Sequence, residues 1–294
     1  MKVGVTFPQT EIGDDPGAIR AYAQAVEGLG LSHILAYDHV LGADDRGEEF
    51  AHRQGRPYSF RSHFLEPFIL FAHLAAVTTK VEFVTGVIIL SQRQTALVAK
   101  QAAVLDVLSE GRVRLGIGTG WNEVEYEALG EDFHNRGKRS EEQIAVMRAL
   151  WTQEVVTFEG RWHKITAAGL NPLPVQRPIP VWFGGGAEPV LERIGRIGDG
   201  WIALGLGADA PDPASARIER IRKYAKDAGR NPSVIGIEGR AALARSTMEK
   251  AVEAAKEWER VGADYVTLVT MDAGLKTPDD HIEMIRQFKE ALDG

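Results

Sequence analysis

The sequence predicts an α/β chain of the TIM (β/α)8 type, on three observations. Short β-rich runs alternate with longer helical patterns eight times within 294 residues, the usual size of such a barrel. Several runs are apolar on both faces, as strands of a buried parallel sheet are. The helical patterns end near glycines, at Gly28 and Gly30, Gly111, Gly229 and Gly262, as helices commonly do. A doubly wound sheet fits the same alternation, because strand order is not written in one sequence.

The units follow in order. Val3–Phe7 leads into a helix over 16–29, and Ile34–Asp38 into a helix over 66–78. Val81–Leu90, which contains the longest apolar stretch, around Val84 to Leu90, precedes a helix over 95–108. Val113–Ile117 is the fourth strand, with a helix over 140–151. Ile179–Phe183 and a helix over 188–197 make the fifth unit. Trp201–Leu204 with 213–228, Val234–Ile237 with 248–261, and Tyr265–Val269 with 278–292 complete eight. Two segments exceed ordinary loop length: Leu41–Phe64 after strand 2, and 152–178 before strand 5, where "VVTFEGRWHKI" reads as a hairpin around Glu159-Gly160. Both are expected to rim the barrel mouth, within a single domain over 1–294.

Composition narrows the function. Apolar residues are 44% and charged residues 26% of the chain, values of a water-soluble globular protein. A net charge of −7 and the absence of a basic stripe argue against nucleic acid as a partner. No apolar run approaches the roughly 20 residues of a membrane span, and the start runs straight into a strand pattern with no signal peptide. With no cysteine, disulfides, thiolate nucleophiles and Cys-ligated metals are excluded. A cytoplasmic location is the expectation, and no His spacing suggests a metal.

Barrel active sites lie at the C-terminal ends of the strands, so few positions matter. Asp38-His39 after strand 2 is the most reactive pair: a carboxylate beside a histidine tunes its protonation for acid or base work. A cap or backbone contact is the plainer use of both. Gly86 lies inside strand 3. "LGIGTGW", Leu115–Trp121, resembles the start of a dinucleotide fingerprint, but Trp121 stands where the third glycine belongs. Gly118 and Gly120 instead suggest bare backbone against a flat ligand, with Gly116 relieving crowding within strand 4. Gly184, Gly185 and Gly186 precede a helix whose amides suit an anionic group or carbonyl; a tight turn explains them as well. Asn122 and Tyr126 share a helical face and offer an amide and a hydroxyl; an N-cap and ordinary packing compete. Trp121 is a candidate substrate-pocket wall.

"YDH" after strand 2, "GTGWNEVEYEALG" after strand 4 and "PVWFGGGAEP" at strand 5 resemble the luciferase-like monooxygenase superfamily, and most closely its coenzyme F420-dependent oxidoreductase class. The similarity runs through essentially the whole chain. It implies a TIM barrel, usually dimeric, holding an isoalloxazine-like ring at its mouth and acting on a small-molecule substrate. By motif, Asp38 would contact the ring or its linker and His39 would sit near the reactive carbon, oriented by Asp38. A cis peptide at Gly86–Val87 would support the ring. Gly118, Thr119, Gly120 and Asn122 would line the linker and phosphate side, and Gly184–Gly186 the other edge. The implied reaction is hydride transfer with F420. An FMN-dependent monooxygenase and a barrel that binds flavin without turnover share the scaffold. Trp121 stands where sugar-phosphate-specific members carry an acid, which argues against a sugar phosphate substrate.

Overall fold

Eight parallel strands close into a ring in a computed structural model that describes residues 1–44, 58–203 and 212–294. The strands are β1 (Lys2–Thr6), β2 (His33–Ala36), β3 (Glu82–Thr85), its continuation β4 (Ile88–Ile89), β5 (Val113–Gly118), the outlying pair β6 (Val156–Glu159) and β7 (Lys164–Ala168), then β8 (Val181–Gly184), β9 (Gly200–Ile202), β10 (Gly236–Ala242) and β11 (Tyr265–Val269). Around the ring each neighbour is parallel, and β3 pairs with β5 as well as β2, which closes it. The architecture is a TIM barrel.

Helices α1 (Pro16–Gly28), α2 (Pro67–Ala75), α3 (Thr95–Leu108), α4 (Glu123–Ala128), α5 (Arg136–Thr152), α6 (Glu188–Ile197), α7 (Ala214–Asp227), α8 (Met248–Arg260) and α9 (Pro278–Asp293) accompany the sheet. Their starts are chemically marked. Asp15 accepts hydrogen bonds from the Gly17 and Ala18 amides, Glu66 from Ile69, and Thr277 and Asp280 form a reciprocal capping box. Phe7, Tyr22, Phe71, Phe83, Trp151, Trp201 and Phe288 are fully buried in the main apolar core.

Four expectations are corrected. The third strand is not one run over 81–90: it breaks at a cis Gly86–Val87 peptide, resumes at Ile88 and ends in a 3-10 turn, Leu90–Gln92. The seventh strand starts later than Val234, because Asn231 caps a 3-10 turn at Pro232–Val234, and it runs past Ile237 to Ala242, so that Glu238 lies inside β10. The helix expected at 140 begins at Arg136, after the separate α4. The hairpin before the fifth strand exists, but it packs against the helix layer. Glu142 of α5 accepts the amides of Arg161, Trp162 and His163, and His163 reaches Thr95 at the mouth-side end of α3. Of the Leu41–Phe64 insertion only 41–44 and 58–64 are described. The strand end at Leu204-Gly205 also lies outside the described residues.

Inside the ring, below the mouth, a charged network fills the space. Arg114 of β5 lies between the rings of Trp182 and Tyr265, at 4.4 and 4.0 Å from their centroids. It donates to Glu238 of β10 at 2.5 Å, and Glu238 also meets His33 at 3.2 Å and Thr267 at 2.5 Å. Small residues make the room: a Cβ on Gly4 would stand 2.3 Å from the His33 ring, and one on Gly200 would stand 2.2 Å from Trp182. Gly116 behaves as its sequence position suggests, since a Cβ there would meet Thr85 O at 1.9 Å and Ile202 Cδ1 at 2.6 Å.

Candidate active site

His39 stands just past the C-terminal end of β2. Its ring lies against Tyr58, with centroids 3.5 Å apart, and edge-on to Phe64 at 4.7 Å. Tyr58 in turn meets Trp121 at 5.3 Å. This aromatic group fixes the imidazole plane, and His39 keeps 17% of its side chain exposed.

Asp38 does not orient it. The Asp38 carboxylate accepts from Arg93 at 2.7 Å and from the Ile89 amide at 3.1 Å, so both oxygens serve the broken third strand. Arg93 also pairs with Glu66 at 2.9 Å. The acid beside His39 is Glu125 of α4, whose Oε1 is 3.9 Å from His39 Nδ1. Glu125 accepts from the Val40 and Leu41 amides at 2.9 and 3.1 Å and from the Tyr58 hydroxyl at 3.0 Å. Burial by itself would raise the Glu125 carboxyl; His39, the Leu41 amide and Tyr58 outweigh that and hold it below the usual carboxylate range.

Asn122 sits at the N-cap position of α4, but its side chain makes no cap bond. Its amide nitrogen donates to the Tyr58 hydroxyl at 3.0 Å, and its Oδ1 is buried with no partner. Tyr126, fully buried, donates to Thr119 O at 2.6 Å and meets Ser91 Oγ at 2.5 Å. Its hydroxyl is therefore committed to the 118–120 turn, which corrects the expectation that it reaches a ligand. Tyr126→Phe is expected to destabilise the fold by about 1–2 kcal/mol, because a buried carbonyl loses its donor. Urea denaturation checks this; an unchanged midpoint and slope would refute the pinning role.

The sequence model of the luciferase-like monooxygenase family matches residues 1–291. The chain belongs to that family. An uncharacterized protein of Mycobacterium tuberculosis is 37% identical over 206 residues, 69% of this chain and 70% of its own length. An FMNH(2)-dependent dimethylsulfone monooxygenase of Pseudomonas fluorescens is 31% identical over 236 residues, 79% of this chain and 58% of that one. The structure of the coenzyme F420 dependent tetrahydromethanopterin reductase of Methanopyrus kandleri superposes with a TM-score of 0.73 at 16% identity, covering 97% of both chains. Luciferase-like family members are oxidoreductases that depend on flavin or F420, and this chain is an enzyme of that class.

The mouth of this luciferase-like barrel fits a flat ring. Val87, at the cis peptide, and Tyr37 are partly buried and pack over a separate buried apolar cluster of the barrel interior, Leu35, Val84, Trp182 and Ile202. The unpartnered Asn122 Oδ1 leaves a buried acceptor at the start of α4. The glycines divide by role. A Cβ on Gly118 would strike Val87 at 2.5 Å, and one on Gly120 would strike Ile89 at 2.8 Å, so these two serve packing against the broken strand. Gly185 has a φ of +106° and its carbonyl accepts from Trp201 at 2.7 Å. A Cβ on Gly186 would stand 2.2 Å from Arg217 Nη1, which places a guanidinium at that edge. Among the described residues, no helix is long and apolar enough to cross a membrane.

Sequence reading missed Glu125, Tyr58, Arg93 and Arg217. Glu125 lies inside the quoted "GTGWNEVEYEALG" and was findable as a carboxylate in the first turn of the helix after a strand end. Tyr58 follows an irregular stretch with no periodicity to place it.

Proposed function

We propose that this enzyme transfers a hydride between an F420-type deazaflavin and a small organic substrate. The observation that carries the reading is His39: a half-buried imidazole at a strand end, with Nδ1 buried and Nε2 free of any hydrogen bond among the described residues. A bound deazaflavin supplies a two-electron hydride donor or acceptor and leaves the protein to orient and exclude. Val87 and its apolar neighbours would support the ring face, with Asp38 bracing that bulge through Ile89. Asn122 Oδ1 would accept from a ring or linker donor. Gly184–Gly186, Thr119 and Arg217 would receive the linker and its phosphate. His39 Nε2 takes the substrate proton as the hydride departs, or returns it in the reverse direction. Trp121 and Tyr58 wall the substrate side, and the Leu41–Phe64 insertion shapes selectivity. We propose that the working form is a homodimer.

The second reading, an FMN-dependent monooxygenase, is favoured by the FMNH(2)-dependent relative and uses the same ring site. Equilibrium titration of the purified protein with F420, FMN and NADPH separates them. Tightest binding of F420 supports the proposal, tightest binding of FMN supports the second reading, and binding of NADPH alone refutes both.

A further inference from the structure

We infer that Glu125 is the positioning residue for His39, holding the neutral imidazole in its Nδ1–H tautomer so that Nε2 presents a lone pair to the mouth. The inference rests on the reading of His39 as the proton-handling group. His39 Nδ1 is buried and has no hydrogen-bond partner, and the Glu125 carboxylate stands 3.9 Å from it. Hydrogen bonds at ligand-free sites are commonly long and tighten on binding. Among the described residues no other carboxylate pairs with His39, because Asp38 is held by Arg93 and Ile89.

The carboxylate is also fixed in place. Glu125 is 1% exposed, and two of its anchors are the amides of Val40 and Leu41, the residues that follow His39 in the chain. The Tyr58 hydroxyl that donates to its other oxygen belongs to the ring stacked on His39. Glu125 therefore constrains the imidazole through its backbone, its stacking partner and its charge together. A carboxylate facing one ring nitrogen sets which nitrogen carries the proton.

The test is the ¹⁵N spectrum of His39 in cofactor-free protein. The parent is expected to show the Nδ1–H form when neutral. Glu125→Leu, which removes the oxygen facing Nδ1, is expected to move the ring toward Nε2–H and lower kcat by at least tenfold at a nearly unchanged KM, with Glu125→Asp recovering part of both. An Nε2–H ring in the parent overturns the inference without need of any variant. So does an unshifted tautomer in a folded Glu125→Leu protein. If the tautomer moves as expected but His39→Ala retains full turnover, the catalytic reading of His39 fails and the Glu125–His39 link stands.

Discussion

Turnover is expected to fall by about 10²- to 10⁴-fold when His39 is replaced by alanine, the range a single positioned acid or base supplies. Cofactor affinity should change only a few-fold. In the proposed reading Val87 and Tyr37, which pack over the interior apolar cluster, would support the ring, and neither is among the rings stacked on His39. What the substitution does remove is stacking on Tyr58 and Phe64, about 0.5–1.5 kcal/mol per aromatic pair. His39→Gln keeps more of that contact and separates packing from proton transfer. Single-turnover kinetics with saturating cofactor, beside a cofactor titration of each variant, measures both quantities. A His39→Ala enzyme with parental turnover would remove His39 from the reaction; one that loses cofactor binding in step with turnover would reassign it to the cofactor site.

The location of this site was legible in the sequence, and its wiring was not. Eight alternations of barrel size favoured a barrel over a doubly wound sheet, the barrel picked out which strand ends matter, and His39 sits at one of them. Gly86–Val87 was placed correctly as the cis bond through resemblance, since periodicity alone reads Val81–Leu90 as one continuous strand. Adjacency misled for Asp38. Neighbours along an extended chain point their side chains to opposite sides, so Asp38 turns to Arg93 while His39 turns to a residue 86 positions away in α4. Tyr126 failed for a related reason: helical spacing from Asn122 gave the shared face, but not that Ser91 and Thr119 already occupy its hydroxyl. A strand expected over Val234–Ile237 stops short of Glu238; the turn at Pro232–Val234 delays the strand and places Glu238 within it, as the barrel's central anion.

That central anion gives the largest stability effect. Glu238 is fully buried and balances Arg114, which is itself enclosed by Trp182 and Tyr265. Burial pushes the Glu238 carboxyl up, but Arg114, His33 and Thr267 outweigh it and bring it down to about 2 from an ordinary 4.5. A folded-state value below the unfolded one means stability that is complete above about pH 4.5 and drains away as pH falls toward 2. At ~1.4 kcal/mol per unit this contribution is roughly 3 kcal/mol. Glu238→Ala should destabilise the barrel by about 3–5 kcal/mol at neutral pH, because it strands a buried guanidinium, and should flatten the acid limb between pH 4.5 and 2. Replacing the pair together, Arg114→Met with Glu238→Leu, should recover most of the loss, since a buried ion pair exchanged for apolar side chains is often neutral. Guanidinium denaturation across pH for the parent, the single and the double variants decides the matter. A single variant as stable as the parent, or an acid limb unchanged by Glu238→Ala, would mean that the charge balance inside the barrel rests on Glu82, the other carboxylate near Arg114 at 3.7 Å.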